Sequence, residues 1–163
     1  MRAVIVPIPE AAAAVDAWRE LTCEAKPSIG VPPHVTLLAP FAPIDAAVVL
    51  ELEEIFAAAT AFALELRRLE RFPGTLYLAP EPARPFALLT EALVRRFPGY
   101  PPYGDPSLRV IPHLTVAQGD DALLDRAEAE ITPALPLDAI ARKALLLEQA
   151  GHDWRLRERF RLG

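Results

Sequence analysis

Cysteine is almost absent from this chain, and serine is nearly as scarce. Cys23 is the single cysteine, which excludes an internal disulfide and a zinc site built from cysteine ligands. Ser28 and Ser107 are the only serines, and neither lies in the strand–turn–helix context of a nucleophilic serine. Disulfide-stabilised scaffolds, zinc modules and serine hydrolases are therefore poor interpretations of this sequence.

The chain also lacks an excess of positive charge and a long apolar segment. Its formal net charge is -5 at pH 7, whereas proteins that grip long nucleic acids through many phosphates are usually basic. Near the N-terminus, two prolines, Glu10 and Asp16 interrupt the apolar residues before they reach the length of a signal peptide or membrane span. We therefore expect a cytoplasmic monomer with no membrane partner and no DNA partner. A small anion or one RNA end is still compatible as a ligand, because a protein with a negative net charge can have a local site of positive charge.

Hydrophobic residues make up 52% of the 163 residues, which is too apolar for a disordered chain. This length and composition predict one domain, or two small lobes that share a core. The 18 prolines lie mostly between periodic segments, so they indicate short connections rather than one long linker.

Hydrophobic periodicity divides the chain into strands and helices. The predicted strands cover residues 3–8, 33–40, 62–66, 75–79, 111–116, 137–149 and 154–162, and an extension of the third strand to about residue 72 stays open. The predicted helices cover residues 9–24, 45–59, 84–97 and 120–131. In the first helix, three-residue spacing predicts that Val15, Trp18 and Leu21 face inward.

Histidine is rare as well, and its distribution is informative. The chain has three histidines, and two of them occupy the same pattern. Residues Pro33–Leu37 read Pro-His-Val-Thr-Leu, and residues Pro112–Val116 read Pro-His-Leu-Thr-Val. In a strand, such a pattern holds histidine and threonine about 7 Å apart on one face and the aliphatic residues on the other. The third histidine, His152, follows Gly151 in a predicted hairpin turn and is expected at the surface.

The two motifs belong to an internal repeat. Pro7 corresponds to Pro80 near the end of the first strand of each unit. Asp45 is the expected N-cap of one helix, and Asp120 or Asp121 is the expected N-cap of its equivalent. A strand–helix–strand–helix–strand unit is therefore used twice along the chain.

This duplication predicts a single domain over residues 1–163 with two lobes related by a pseudo-two-fold axis. The first lobe covers about residues 1–73 and the second about residues 74–163, and the closing strands can cross between lobes. The short connections leave open whether the sheets are parallel or antiparallel. Equivalent strands of the two lobes would place His34 and His113 opposite each other across a central cleft.

Two facing His/Thr pairs suit phosphoester cleavage. With an ordinary pKa near 6.5, one imidazole can take a proton from the attacking oxygen while the other protonates the leaving oxygen. Each such transfer is typically worth about 10²–10⁴-fold in rate. The threonine hydroxyls can donate hydrogen bonds to the phosphoryl oxygens as charge builds there. No metal is required, and we expect none.

Three alternatives stand beside this hypothesis. A histidine in a Pro-His-aliphatic strand is often only structural, although packing alone does not demand it in both repeats. His34 and His113 with Asp105 could instead form a two-histidine, one-carboxylate metal site. The third alternative is a non-catalytic module that binds a nucleotide or an RNA end in the same cleft.

Gly30–Phe41 together with Ile111–Val116, each carrying a His-x-Thr motif, resembles the two-histidine (2H) phosphoesterase superfamily. Within it, the resemblance is to bacterial 2',5' RNA ligase / cyclic phosphodiesterase-like proteins, and it covers nearly the whole chain. It implies a duplicated, bilobal α+β fold, with largely antiparallel sheets lining a central cleft and helices outside. It also implies a hydrolase that needs no cofactor and acts on 2',3'-cyclic phosphates or 2',5' linkages of nucleotides or RNA ends, with reverse ligation as a second possibility.

The same resemblance implies a catalytic quartet. Its members are His34, Thr36, His113 and Thr115. Related proteins that form 2'-phosphates suggest that His113 activates water and His34 protonates the leaving oxygen. The pseudo-symmetry of the repeat leaves the reversed assignment open.

Three further residues are candidates for substrate binding. Tyr103 lies in the loop before the second motif, where its ring could stack on a base or pack on neighbouring prolines. Arg109 precedes the second motif and could reach a phosphate. Tyr77 lies in the middle of a predicted strand and faces either the cleft or the core.

The C-terminal segment alternates between apolar and basic residues, with Glu158 as the exception. Strand geometry predicts one apolar face and one arginine face. The apolar face comprises Trp154, Leu156, Phe160 and Leu162, and the basic face comprises Arg155, Arg157, Arg159 and Arg161. The arginines could track an RNA backbone, or they could form a solvated face that discourages edge-to-edge pairing.

Overall fold

The computed structural model describes residues 1–163 and contains eight strands and four α-helices. The strands are β1 Arg2–Pro7, β2 His34–Leu38, β3 Phe62–Phe72, β4 Thr75–Glu81, β5 Leu114–Gln118, β6 Leu137–Ala141, β7 Lys143–Ala150 and β8 Asp153–Arg161. The helices are α1 Ala12–Thr22, α2 Ala46–Ala57, α3 Arg84–Arg96 and α4 Asp121–Ile131. None of the helices combines the length and the apolar character that a membrane span requires.

The strands form two four-stranded sheets that are antiparallel throughout. The first sheet has the order β2-β1-β7-β8, and the second has the order β5-β4-β3-β6. Helices α2 and α3 pack on the first sheet, and α1 and α4 pack on the second. The predicted α+β class with antiparallel sheets is confirmed.

The two sheets do not follow the two halves of the chain. Strand β3 belongs to the second sheet, whereas β7 and β8 cross back to the first. Strand β1 explains this exchange, because its residues Ala3–Pro7 are all buried and therefore need a neighbouring strand on each side. The local sequence supplies only β2, so β7 from the end of the chain completes the pairing.

One hydrophobic core joins both sheets. It includes Val35 and Leu37 of β2, Val116 of β5, and the helix residues Phe56 and Phe86. A second, smaller cluster of Ala3, Ile5, Leu145 and Leu147 lies on the opposite face of the first sheet. The alternation in β2 therefore turns the aliphatic residues to the core and leaves His34 and Thr36 on the same face as the small cluster.

The predicted helix starts are largely confirmed. The carboxylate of Asp45 accepts a hydrogen bond from the Val48 amide at 2.8 Å, and that of Asp120 accepts one from the Leu123 amide at 2.9 Å. Asp120 is thus the N-cap, and Asp121 is the first residue of α4. Each aspartate satisfies one of the amides that a helix N-terminus leaves unpaired.

Two predictions about the C-terminal segment are wrong. The expected strand over residues 137–149 is broken at Arg142, because Ala141 pairs with Phe62 in the second sheet while Lys143 pairs with Arg161 in the first. The regular alternation of β8 is interrupted as well. Leu156 pairs with Leu147, but Glu158 pairs with Leu146, so Arg157 is an extra residue in a β-bulge.

The bulge moves the apolar side chains of β8 to opposite faces of the sheet. Phe160 packs in the main core, where its ring stacks on Phe56 with centroids 5.4 Å apart. Trp154 packs instead against the small cluster on the other face. The predicted continuous arginine face is divided in the same way, and Arg157 pairs with Glu148 at 2.7 Å.

Candidate active site

The two His-x-Thr motifs occupy equivalent positions at the edges of the two sheets. Thr36 in β2 lies opposite Ile5 in β1, and Thr115 in β5 lies opposite Tyr77 in β4. His34 is the first residue of β2, whereas His113 directly precedes β5. Strands β2 and β5 contact each other, so the two motifs come together from different sheets.

Both histidines are oriented by the same hydrogen bond. Nδ1 of His34 lies 2.7 Å from the carbonyl oxygen of Pro32, and Nδ1 of His113 lies 2.7 Å from that of Ile111. A carbonyl oxygen can only accept, so each Nδ1 carries a proton and donates it. Neither Nε2 has a hydrogen-bond partner within the protein. Each Nε2 can therefore accept a proton when its ring is neutral and donate one when its ring is charged.

The surroundings of both rings disfavour protonation. Burial is the largest cause and lowers the pKa of His34 to about 4, against an ordinary value of 6.5. The charge of Arg19 and the neighbouring His113 lower this pKa further, while the hydrogen bond to Pro32 raises it. Burial also lowers the pKa of His113, opposed by its hydrogen bond to Ile111. Both histidines are half-buried and not fully enclosed, so a ligand can reach them.

The two threonine hydroxyls have no hydrogen-bond partner within the protein. By contrast, the hydroxyl of Thr90 is buried and donates to the Leu37 carbonyl at 2.9 Å. Thr36 and Thr115 are half-buried beside their histidines and retain their hydroxyl protons for a ligand.

Sequence reasoning missed Arg19, which is 1% exposed. Its Nη2 atom donates to the carbonyl oxygens of three residues in the loop before His34, namely Ala25 at 3.0 Å, Val31 at 2.9 Å and Pro32 at 3.1 Å. Its Nη1 atom pairs with Asp16 at 2.7 Å. Arg19 thereby fixes the loop that presents the Pro32 carbonyl to His34.

The first helix also turns a different face inward from the one predicted. Val15 and Arg19, four residues apart, are buried, whereas Leu21 is 76% exposed and the prediction for it is wrong. No local signal distinguished Arg19 from a solvated arginine, because its partners are backbone carbonyls of another segment.

Aromatic side chains surround His113. The ring of Tyr77 stacks on Phe72 with centroids 4.4 Å apart, and the His113 ring meets these two at 5.5 and 5.1 Å. The hydroxyl of Tyr77 donates to Glu70 at 3.1 Å. Burial, and then Glu70, raise the pKa of Tyr77, so the phenol keeps its proton. Tyr77 therefore holds the ring of His113; sequence reasoning missed Phe72 and Glu70.

The other two binding candidates make no contact with these rings in the hydrogen bonds and aromatic pairs of the structure. Tyr103 is 49% exposed in a left-handed backbone conformation with φ of 53°, and its amide donates to the Ala39 carbonyl at 2.7 Å. Enough protein surrounds its hydroxyl to raise the Tyr103 pKa. Arg109 lies in a groove beside α3. The structure does not bring Asp105 into a carboxylate–histidine cluster, since its carboxylate accepts hydrogen bonds from Ser107.

The two sides of the site differ in polarity. On the first sheet, a cavity of about 140 Å³ lies beside His34 and Thr36 and is lined mainly by apolar side chains, including Ile5, Leu147 and Trp154. On the second sheet, the residues near Tyr77 are charged. Arg68 pairs with Glu70 at 3.5 Å and with Glu81 at 2.8 Å.

Solved structures of other proteins superpose on this fold over nearly the whole chain. The protein TT0787 of Thermus thermophilus superposes with a TM-score of 0.62 at 22% identity, over 99% of this chain and 97% of that one. Escherichia coli LigT complexed with 3'-AMP gives a TM-score of 0.61 at 16% identity, over 99% and 97% of the two chains. LigT has also been solved with NADP+, with a TM-score of 0.58 at 17% identity, over 99% and 96%. Because these sequence identities are low, the structural similarity shows a shared fold only.

Sequence comparison defines the family. Residues 7–153 match the model of the 2'-5' RNA ligase superfamily. A protein of Bacillus pumilus named "Putative phosphoesterase" is 30% identical over 145 residues, which is 82% of this chain and 81% of that protein. A Bacillus cereus protein of the same name is 30% identical over 82% of this chain and 80% of its own length. The chain belongs to the 2'-5' RNA ligase superfamily of two-histidine phosphoesterases.

Proposed function

We propose that this protein hydrolyses the 2',3'-cyclic phosphate, or a related 2',5'-phosphodiester, of nucleotides or RNA ends, by acid–base catalysis with His34 and His113. One observation carries the proposal: both rings donate Nδ1–H to the carbonyl two residues earlier, leaving both Nε2 atoms without a protein partner. Family membership supports phosphoester chemistry. Ligation of 2',5' ends would be the reverse of the same reaction.

The proposed reaction needs two proton transfers and one displacement at phosphorus. A neutral imidazole takes a proton from water through Nε2, and the water oxygen forms a bond to phosphorus. The bond between phosphorus and one ribose oxygen breaks, and this oxygen takes a proton from Nε2 of the second, charged imidazole. Thr36 and Thr115 donate hydrogen bonds to the non-bridging oxygens, where negative charge builds.

The pKa values support a particular division of these roles. His34 has its pKa lowered to about 4 and is neutral over most of the pH range, which suits the general base. Burial lowers the pKa of His113 as well, but the charge of Arg19 does not lower it further. Of the two rings, His113 therefore keeps a proton more readily than His34, and it suits the general acid. This assignment is the reverse of the one that the family resemblance implies.

The apolar cavity beside His34 suits the base of a nucleotide. Its lining includes the indole of Trp154 and the aliphatic side chains of Ile5 and Leu147, which can pack against the ring of a base. The LigT structures complexed with 3'-AMP, NADP+ and ATP support a small nucleotide as the ligand class.

The test is hydrolysis of the four 2',3'-cyclic mononucleotides and of an RNA oligomer ending in a 2',3'-cyclic phosphate, with and without EDTA. We expect turnover that survives EDTA and is lost by about 10²-fold or more in His34→Ala and in His113→Ala. His152→Ala is the matched control, because His152 is exposed in the turn after β7 and should leave turnover unchanged. Loss of activity on chelation would contradict the proposal.

A non-catalytic nucleotide-binding module is the second candidate. The lowered pKa values of both histidines favour it, since few rings carry the required proton at neutral pH. Tight binding of a nucleotide with no product formed between pH 5 and pH 8 would show that the protein is a binding module and not a hydrolase.

A further inference from the structure

A groove of about 940 Å³ lies outside the catalytic cleft, between α3 and the segment 102–112 that leads to His113. We call it the α3 groove. Its volume is at the upper end of the roughly 300–1,000 Å³ that small-molecule sites occupy. The space thus exceeds what one reacting nucleotide end requires.

Three arginines without ion-pair partners line the α3 groove. Arg84, Arg95 and Arg109 are exposed, and none of them makes a salt bridge or a side-chain hydrogen bond. Neighbouring Arg96 behaves differently, since it pairs with Glu51 and Glu54 across to α2. In a protein of net charge -5, this local excess of positive charge fits a polyanion.

The acidic and apolar residues of the groove also fit a polyanion, and in particular a nucleic acid. Glu91 is its one acidic residue. Leu108 and Ile111 are 50% and 49% exposed in its wall. Proteins that bind single-stranded nucleic acid combine a positively charged groove for the phosphates with nonpolar surface, usually aromatic, for the bases. In the α3 groove the aliphatic side chains of Leu108 and Ile111 supply the nonpolar surface.

The α3 groove is continuous with the segment that positions His113. Ile111 and Pro112 line the groove, and the Ile111 carbonyl accepts the Nδ1–H hydrogen bond of His113. The same segment thus forms a wall of the groove and supports His113, so a chain whose terminal phosphate lies between the histidines would reach the groove along residues 111–113. An acidic peptide would match the charge but would have no terminal phosphate for the adjoining site.

We propose that the α3 groove binds the single-stranded RNA that precedes the reacting terminal phosphate. This inference rests on the proposed function, and it deepens that proposal by making an RNA end, rather than a free nucleotide, the preferred substrate. Arg84, Arg95 and Arg109 hold the phosphates of the preceding nucleotides. The exposed side chains of Leu108 and Ile111 contact bases or riboses.

The test compares an eight-nucleotide RNA ending in a 2',3'-cyclic phosphate with the matching cyclic mononucleotide. In the triple variant Arg84→Gln/Arg95→Gln/Arg109→Gln, we expect kcat/KM for the oligomer to fall at least 10-fold more than kcat/KM for the mononucleotide. The difference should reside in KM. Arg126→Gln, which removes an exposed arginine of α4 outside the groove, is the control and should change neither value.

Salt dependence gives a second readout. Each phosphate contact on a single strand contributes about -0.7 to the slope of log K against log salt, so the triple variant should bind a fluorescent RNA octamer with a slope smaller by about 2. An unchanged slope, or an equal loss with Arg126→Gln, would overturn the proposal. So would competition by a glutamate-rich peptide as effective as competition by RNA.

The two proposals fail in different ways. If neither substrate is hydrolysed but octamer binding still requires the three arginines, the proposed function is wrong and the groove assignment stands. If both substrates are hydrolysed and the triple variant treats them alike, the hydrolytic function stands and the groove assignment is wrong.

Discussion

Arg19 and His34 share one hydrogen-bond acceptor, the carbonyl oxygen of Pro32. The buried guanidinium donates to it at 3.1 Å and the imidazole Nδ1 donates at 2.7 Å. Arg19 therefore fixes the ring orientation from helix α1, and its charge also lowers the pKa of the same ring. One buried side chain thus sets both the geometry and the proton affinity of a proposed catalytic group.

Replacing Arg19 tests this double role. Arg19→Met leaves three carbonyls without their donor and Asp16 without its ion pair, so we expect a loss of about 3 kcal/mol or more in the free energy of unfolding, measured with urea. Where the variant stays folded, the acid limb of the kcat/KM profile should move to higher pH. Arg19→Lys keeps the charge and should leave that limb in place while still losing stability. An unmoved limb in Arg19→Met would contradict the electrostatic role.

The pH profile of the wild-type protein follows from the lowered pKa values. As general base, His34 must be neutral, so kcat/KM rises as the pH increases through about 4. As general acid, His113 must be charged, so kcat/KM falls as the pH increases through its pKa, which lies below 6.5. We expect a bell with its maximum between these values. A kcat/KM maximum at or above pH 7 would show that the two rings are less desolvated than their burial in the ligand-free site indicates.

Stability should depend on pH in the same window. The His34 pKa is about 4 in the folded protein and about 6.5 when unfolded, so the unfolded chain binds the extra proton first. The contribution of His34 is full above pH 6.5 and is lost as the pH falls towards 4, by about 3 kcal/mol in all. Urea unfolding of His34→Asn should be less sensitive to pH across this window than that of the wild type. Parallel curves for the two proteins would refute the shift.

The apolar cavity predicts a role for Trp154 in binding. Trp154→Ala removes the indole beside His34 and Thr36, so KM for a cyclic mononucleotide should rise by about 5- to 100-fold while kcat changes little. Leu156→Ala is the control, because Leu156 is 40% exposed on the same strand and does not line the cavity. If both variants raise KM alike, the rise in KM comes from a disturbance of strand β8 and not from the loss of a binding site for the base.

Much of the fold could be predicted from the sequence because its signals are local. The His-x-Thr motif at His34, the Asp45 cap and the strand that begins at Phe62 each depend on a few neighbouring residues, and each lies where expected. The second motif differs, because its strand begins at Leu114 and not at Ile111. The break at Arg142 and the bulge at Arg157 could not be predicted, because they arise where a strand changes its pairing partner.

The same distinction applies to the site. The two histidines and threonines are readable as a repeated pattern, whereas Arg19 acts on backbone carbonyls of a separate loop. Tyr77 reaches His113 only through the register of β4 against β5, which no local pattern fixes. Residues that position a reactive group act through tertiary contacts, so they cannot be recognised from the sequence alone.

The most direct test of the central claim is a change of leaving group. A nucleoside phosphodiester that releases p-nitrophenolate needs no proton on its leaving oxygen, so it should bypass the general acid but not the general base. We predict that His113→Ala loses about 10²-fold or more on a 2',3'-cyclic nucleotide but less than about 10-fold on the p-nitrophenyl ester, while His34→Ala loses heavily on both. Equal losses of the two variants on both substrates would contradict a divided acid–base role for His34 and His113.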